Sequence, residues 1–161
     1  MLEDIRQPVE SDLAKVDEMI VQSLTSEIEL IDQIGHYIVN AGGKRIRPLL
    51  TLLSAKACQG ESEKAIKLAT VIEFIHTATL LHDDVVDKSD MRRGRLTANA
   101  KWGNQAAVLV GDFLYSRSFQ LMVELDSMAV MQEMAHTTNL IAQGEVLQLV
   151  GVQEASFERQ H

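Results

Sequence analysis

The sequence predicts an all-α protein, an antiparallel bundle of helices, and three observations carry that reading. Glycine (9) and proline (2) are scarce among the 161 residues, so few positions break a helix. Apolar residues recur at steps of three and four along most of the chain. No stretch of useful length alternates apolar and polar residues as a half-buried strand does. Apolar residues make up 46% and aromatics only 4%, so Leu, Ile, Val, Ala and Met must fill a single core.

Val9, Leu13, Val16 and Ile20 predict a helix over 9–24, and Ile28, Ile31, Ile34 and Ile38 another over 27–40. Asn40-Ala41-Gly42-Gly43 stops the second, because glycine accepts the left-handed cap conformation. Pro48 suits the first turn of a third helix ending near Gln59-Gly60. Ser62 is a candidate cap for a fourth over 63–87. Lys88–Leu96 reads as a charged loop. Helices over 104–124 and 127–150 follow, the latter capped by Ser127, and 151–161 reads as a polar end with no terminating signal. Short connections between six helices make a bundle.

The net charge of -8 argues against bulk nucleic-acid binding, which needs a strong basic field. The basic residues cluster instead, as Lys44, Arg45 and Arg47, and as Lys88, Arg92, Arg93 and Arg95. Local cations in an acidic chain suit a small anionic ligand. A single cysteine, Cys58, forms no internal disulfide and fits a reducing compartment; it is expected to be an inert packing residue. The acidic opening residues lack the apolar core of a secretory leader, and no apolar run reaches the roughly 20 residues of a membrane span. A cytoplasmic location is expected.

The fourth helix ends in His82-Asp83-Asp84-Val85-Val86-Asp87. Asp83 and Asp87 are one turn apart, and at about 100° per residue His76 shares their arc while Asp84 stands roughly a quarter-turn aside. Three such carboxylates repel one another unless a cation joins them. Few hard oxygen donors, with places left for water and phosphate, suit Mg²⁺. The plainer alternative, solvated acids at a helix end, is opposed by the helix dipole. Arg92 and Arg93 follow directly, and guanidinium forks match phosphate oxygens, although internal Asp–Arg pairs are the commoner arrangement. Gly94 allows close backbone approach there. Gly42-Gly43-Lys44-Arg45-Ile46-Arg47-Pro48 is a second anion candidate at a helix start, without the full Walker pattern. Two anion sites, one with metal ligands, suggest two phosphorylated substrates held differently.

LLHDDVVDKSDMRRG resembles the first aspartate-rich motif of the trans-polyprenyl diphosphate synthases, and GGKRIRP resembles their isopentenyl diphosphate motif. Trp102-Gly103-Asn104, the VGDFL of 110–114 and the QGEVLQ of 143–148 extend the likeness over nearly the whole chain. The resemblance implies an isoprenoid-synthase bundle, here incomplete. It implies that Asp83, Asp84 and Asp87 bind Mg²⁺ bridged to an allylic diphosphate such as farnesyl diphosphate, with Asp83 and Asp87 the direct ligands and Arg92 clamping the same diphosphate. Lys44, Arg47, His76 and Arg93 would hold isopentenyl diphosphate. The implied reaction is head-to-tail condensation: the allylic C–O bond ionises, the carbocation alkylates isopentenyl diphosphate, and a proton leaves. Product length in the family follows side chains below the aspartates. Ala78 and Thr79 are small, which implies a long product with octaprenyl as the best guess, and Met122, Met131 or Met134 would form a deeper floor. A quinone side chain and a homodimer are further implications.

The family's second aspartate-rich motif has no counterpart after Asp87. The chain is therefore expected to be the N-terminal part of one synthase domain and to lack normal catalysis alone. Two rivals remain. Glu73-Phe-Ile-His76 and Glu133-Met-Ala-His136, with Glu29 and Glu124, match the ligand pattern of a ferritin-like di-iron bundle, but leave the Asp and Arg clusters unexplained. A non-catalytic regulatory subunit with a retained diphosphate site is the other.

Overall fold

The computed structural model describes residues 2–40 and 43–158, so Ala41 and Gly42 of the expected helix stop lie outside the described residues. The elements are α1 (Leu2–Arg6), a 3₁₀ turn (Gln7–Val9), α2 (Glu10–Leu24), α3 (Glu29–Val39), α4 (Ile46–Ala57), α5 (Ser62–Val86), β1 (Met91–Arg92), β2 (Arg95–Leu96), α6 (Ala98–Trp102), α7 (Asn104–Glu124) and α8 (Met128–Glu158). They form two compact units, the first ending at Leu125 and the second starting at Asp126. No helix among the described residues is long and apolar enough to cross a membrane.

The first unit is built around α5, which packs against α2, α4 and α7. Its sequence is apolar on several sides because it is enclosed on several sides. Phe74, Ile75, Ala78 and Leu81 are buried, facing a core that includes Ile20, Leu24, Leu52 and Leu114. Each large side chain so buried contributes about 1.5–3 kcal/mol. Thr70 and Thr77 share this interior with their hydroxyls satisfied, donating to the carbonyls of Ile66 (3.0 Å) and Glu73 (2.8 Å).

Close approach of α5 and α7 depends on Gly111. A Cβ at this position would stand 2.4 Å from His82 Nε2 and 2.7 Å from its Cδ2. The imidazole thus occupies the notch that the missing side chain leaves. Its Nε2 lies 3.2 Å from the Val108 carbonyl and 3.3 Å from Asp112 Oδ1.

α4 and α5 end alike. After Ala57, the Gly60 N–H donates to the Ala55 carbonyl (2.8 Å) and the Gln59 N–H to that of Lys56 (3.1 Å). After Val86, the Ser89 N–H donates to Asp84 (2.9 Å) and the Lys88 N–H to Val85 (3.2 Å). These paired bonds are Schellman caps, and they need a left-handed residue. Gln59 (φ 56°) and Lys88 (φ 54°) adopt that conformation without being glycine. Gln59→Gly is therefore expected to stabilise the chain by about 1 kcal/mol, read as a higher urea midpoint.

Several sequence expectations are corrected. Ser62 does not cap α5: Glu61 is the N-cap, and the Ser62 hydroxyl donates to Asp12 Oδ2 (2.9 Å) on α2. Ile28 is exposed just before α3 rather than on its buried face. Cys58 is exposed at the end of α4, so it is not a packing residue. The expected loop at 88–96 contains a two-stranded hairpin. α6 is too short for apolar periodicity to announce it; its start is set by Thr97, whose side chain accepts from the Ala100 N–H (3.3 Å). In the second unit α8 continues well past Val150, to Glu158. Ser127 begins that helix as expected, accepting from the Val130 N–H (3.4 Å). Leu140, Ile141, Val146, Leu147, Leu149 and Val150 of α8 are exposed.

Candidate functional site

The last turn of α5, the hairpin and the segment entering α4 form the candidate site. Arg93 and Gly94 are the turn of the hairpin, with φ of 52° and 77°. Positive φ at both positions is the two-residue turn whose twist matches antiparallel strands. Gly94 meets that conformational demand, and nothing lies within 4 Å of where its Cβ would be. The register pairs Met91 with Leu96 and Arg92 with Arg95.

The hairpin folds Arg92 back onto α5. Its Nε donates to Asp84 Oδ1 (2.9 Å) and Oδ2 (3.1 Å), and Nη2 lies 2.8 Å from Oδ1. The Asp84 side chain is only 7% exposed, against 39% for Arg92. A buried carboxylate therefore faces a bidentate, water-accessible guanidinium. Hydrogen bonding to Asp84 raises the pKa of Arg92, so its charge is held firmly. The base of the hairpin is tied down by the Ser89 carbonyl, which accepts from Thr97 Oγ1 (2.7 Å) and Asn99 Nδ2 (3.0 Å). Its outer edge rests on α3. Tyr37 donates to the Leu96 carbonyl (2.9 Å), and Arg95 and Lys101 each stand 4.4 Å from the centre of its ring.

On the other side, Gly43, Lys44, Arg45, Ile46, Arg47, Glu73, His76 and Arg93 line an open cleft of about 530 Å³. The four residues that the resemblance assigned to isopentenyl diphosphate, Lys44, Arg47, His76 and Arg93, thus meet in one place from three separate elements. Gly43 makes room for the last of them, since a Cβ there would be 3.1 Å from Arg93 Nη1. Gly42 of the same motif lies outside the described residues. Burial lowers the pKa of His76, and Arg47 lowers it further; Glu73 opposes them, while Arg93 and Arg92 add to the lowering. The imidazole is therefore neutral at pH 7, with a proton on one nitrogen to donate and a lone pair on the other.

The sequence places Arg45 among the cations of the anion candidate and Glu73 in the di-iron pattern, and gives no sign that the two pair with each other. Arg45 precedes the first turn of α4 in a left-handed conformation (φ 48°, ψ 36°), which costs a non-glycine residue about 1 kcal/mol or more. Its Nη1 lies 2.7 Å from Glu73 Oε1 and its Nε 2.9 Å from Asp17 Oδ1. No pattern in the sequence announces an arginine in that conformation. The pairing also removes Glu73 from the di-iron pattern. Glu124 is likewise paired, with Lys67 at 2.8 Å, and Glu29 accepts from Gln33 Nε2 (2.8 Å). Glu133 and His136 belong to α8 in the second unit.

Among the described residues no three His, Cys, Asp or Glu side chains are grouped closely enough to hold a metal. The aspartate motif nevertheless fits Mg²⁺ of the implied kind. Asp84 is buried against Arg92; Asp83, half-buried, and Asp87, exposed, are separated by one turn closed by the Asp87 N–H to Asp83 carbonyl bond (2.8 Å). One or two carboxylates completed by substrate phosphates and water is the usual Mg²⁺ donor set. Of the chain-length residues, Ala78 is fully buried, Thr79 is half-buried with its hydroxyl on the His76 carbonyl (2.8 Å), and Met122 is buried on α7. Met131 and Met134 lie on α8 of the second unit.

The family described as polyprenyl synthetase matches residues 28–161. Octaprenyl diphosphate synthase of Escherichia coli is 51% identical over 160 residues, covering 99% of this chain and 50% of that protein. Its counterpart in Haemophilus influenzae is 52% identical over 153 residues, covering 95% and 46%. The crystal structure of a decaprenyl diphosphate synthase from Rhodobacter capsulatus superposes with a TM-score of 0.89 at 45% identity, covering 93% of this chain and 46% of that one. The chain spans about half the length of the curated relatives it matches. The matched stretch takes in the cleft, the aspartates at the end of α5 and the arginine hairpin together, and the chain belongs to the polyprenyl synthetase family.

Proposed function

We propose that this chain provides the diphosphate-holding part of a prenyltransferase that condenses isopentenyl diphosphate onto an allylic diphosphate to make a long all-trans polyprenyl diphosphate. The observation that carries the reading is the convergence of Lys44, Arg47, His76 and Arg93 on one open cleft. Three cations and a neutral imidazole suit a diphosphate, with Lys44 as a point charge and the arginines as planar forks. Asp83 and Asp87 would hold Mg²⁺, which when bound supplies charge to the departing allylic diphosphate. Arg92, oriented by Asp84, would add a second positive group to that leaving group. In this reading Asp84 positions an arginine rather than ligating metal, because its carboxylate is already engaged. Ala78, Thr79, Met122 and Met134 would bear on product length. The octaprenyl product named for two relatives makes octaprenyl the expected length, with a quinone side chain as its destination and a second copy of this chain as partner.

Titration calorimetry of the chain with isopentenyl diphosphate tests the cleft. Lys44→Ala and Arg47→Ala are each expected to weaken binding at least about tenfold, the loss of one charge-assisted phosphate contact. Unchanged affinity in both variants would remove the cleft from the reading. Binding of farnesyl diphosphate should depend on Mg²⁺, and Asp83→Asn with Asp87→Asn should abolish that dependence.

A further inference from the structure

We propose that Arg45, although it lines the anion cleft, acts as a positioning residue: through Glu73 and Asp17 it fixes the segment that carries Lys44 and Arg47. The inference rests on the diphosphate reading of the cleft and adds two residues to it.

Lys44 and Arg47 sit on either side of Arg45, and both depend on where the backbone turns into α4. The turn is made by a left-handed arginine, a conformation that persists only where the surroundings enforce it. The enforcing contacts are the two carboxylates. Glu73 on α5 and Asp17 on α2 receive different nitrogens of one guanidinium, 2.7 Å from Nη1 and 2.9 Å from Nε. The Arg45 and Glu73 side chains are 18% and 12% exposed, so this pair is largely shielded from water, whereas the Asp17 side chain is 56% exposed. Further bonds hold the same segment. Arg6 donates to the Lys44 carbonyl, and the Arg45 carbonyl accepts from the Leu49 N–H (2.9 Å). Glu73 also precedes His76 by one turn of α5, so the bridge sets the spacing between the Lys44–Arg47 segment and the imidazole across the cleft. With its charge answered by two carboxylates, Arg45 has little of it left for a ligand.

Glu73→Gln separates positioning from simple electrostatics, because the two predict opposite signs. Removing a negative charge from the wall of an anion site tightens binding if Glu73 acts only through its field. If it positions the segment, binding weakens. Calorimetry of the 161-residue chain with isopentenyl diphosphate is expected to show about tenfold weaker binding for Glu73→Gln. Arg45→Lys keeps the charge but lacks the two-pronged geometry, and is expected to show a similar loss. In the double variant Glu73→Gln with Arg45→Lys the losses should not add. Tighter or unchanged binding in Glu73→Gln would overturn the inference. So would unchanged binding in Arg45→Lys, which keeps the test decisive should the glutamine variant fold poorly. Lys44→Ala and Arg47→Ala serve as the references: if both leave affinity unchanged, the diphosphate reading of the cleft fails, whereas a loss there with none in Glu73→Gln and Arg45→Lys sinks only the positioning role.

Discussion

Arg92→Ala is expected to destabilise the first unit by about 3 kcal/mol, the largest effect of any single replacement in the hairpin. The reason is asymmetry of burial. Truncation leaves the Asp84 carboxylate, 7% exposed, without the guanidinium that holds both of its oxygens. The reverse change costs less. Asp84→Asn leaves an arginine that water already reaches, and the amide oxygen still accepts one bond, so about 1 kcal/mol is expected. The double variant should be more stable than Arg92→Ala alone, because no buried charge remains. Urea denaturation of the four proteins makes the comparison, and equal losses in the two single variants would show that Asp84 is better solvated than its burial implies.

Gly111→Ala is expected to cost a comparable 2–3 kcal/mol through overpacking of α5 against α7. The new methyl would lie 2.4 Å from His82 Nε2, and both partners are on helices, so neither backbone yields cheaply. The imidazole must leave its place against the Val108 carbonyl and Asp112. His82→Ala should recover part of that loss in the double variant, since it removes the atoms in collision. A simple sum of the two single effects would mean that the notch is not where the strain arises.

The helical framework was legible because apolar spacing is a property of the chain itself. Val16 and Ile20 are buried on α2 as their spacing predicts, and Leu13 half-buried. The residues of the cleft were legible for a different reason, the likeness of GGKRIRP and the aspartate motif to a known family. What escaped was set by backbone conformation or by distant partners. Two-residue strands are too short to alternate, so the hairpin was hidden although Arg93-Gly94 is its turn. Ser62 has the chemistry of a cap, but Asp12 from α2 takes its hydroxyl instead. Glu73 looked like one half of a metal-ligand pair with His76, and only the fold brings Arg45 to it. Cys58 had no local signal that separates a packed thiol from an exposed one.

The tight hairpin also makes segment length a constrained property of the stretch between Asp87 and Thr97. A two-residue turn with Arg92 opposite Arg95 has no slack. A single inserted or deleted residue shifts strand register by one, and a shift of one exchanges the two faces. The arginine now directed to Asp84 would then turn away from α5, and its neighbour on the cleft side would take the helix-facing place. A change in the number of residues here is therefore expected to undo the Arg92–Asp84 pair as surely as replacing Arg92 itself.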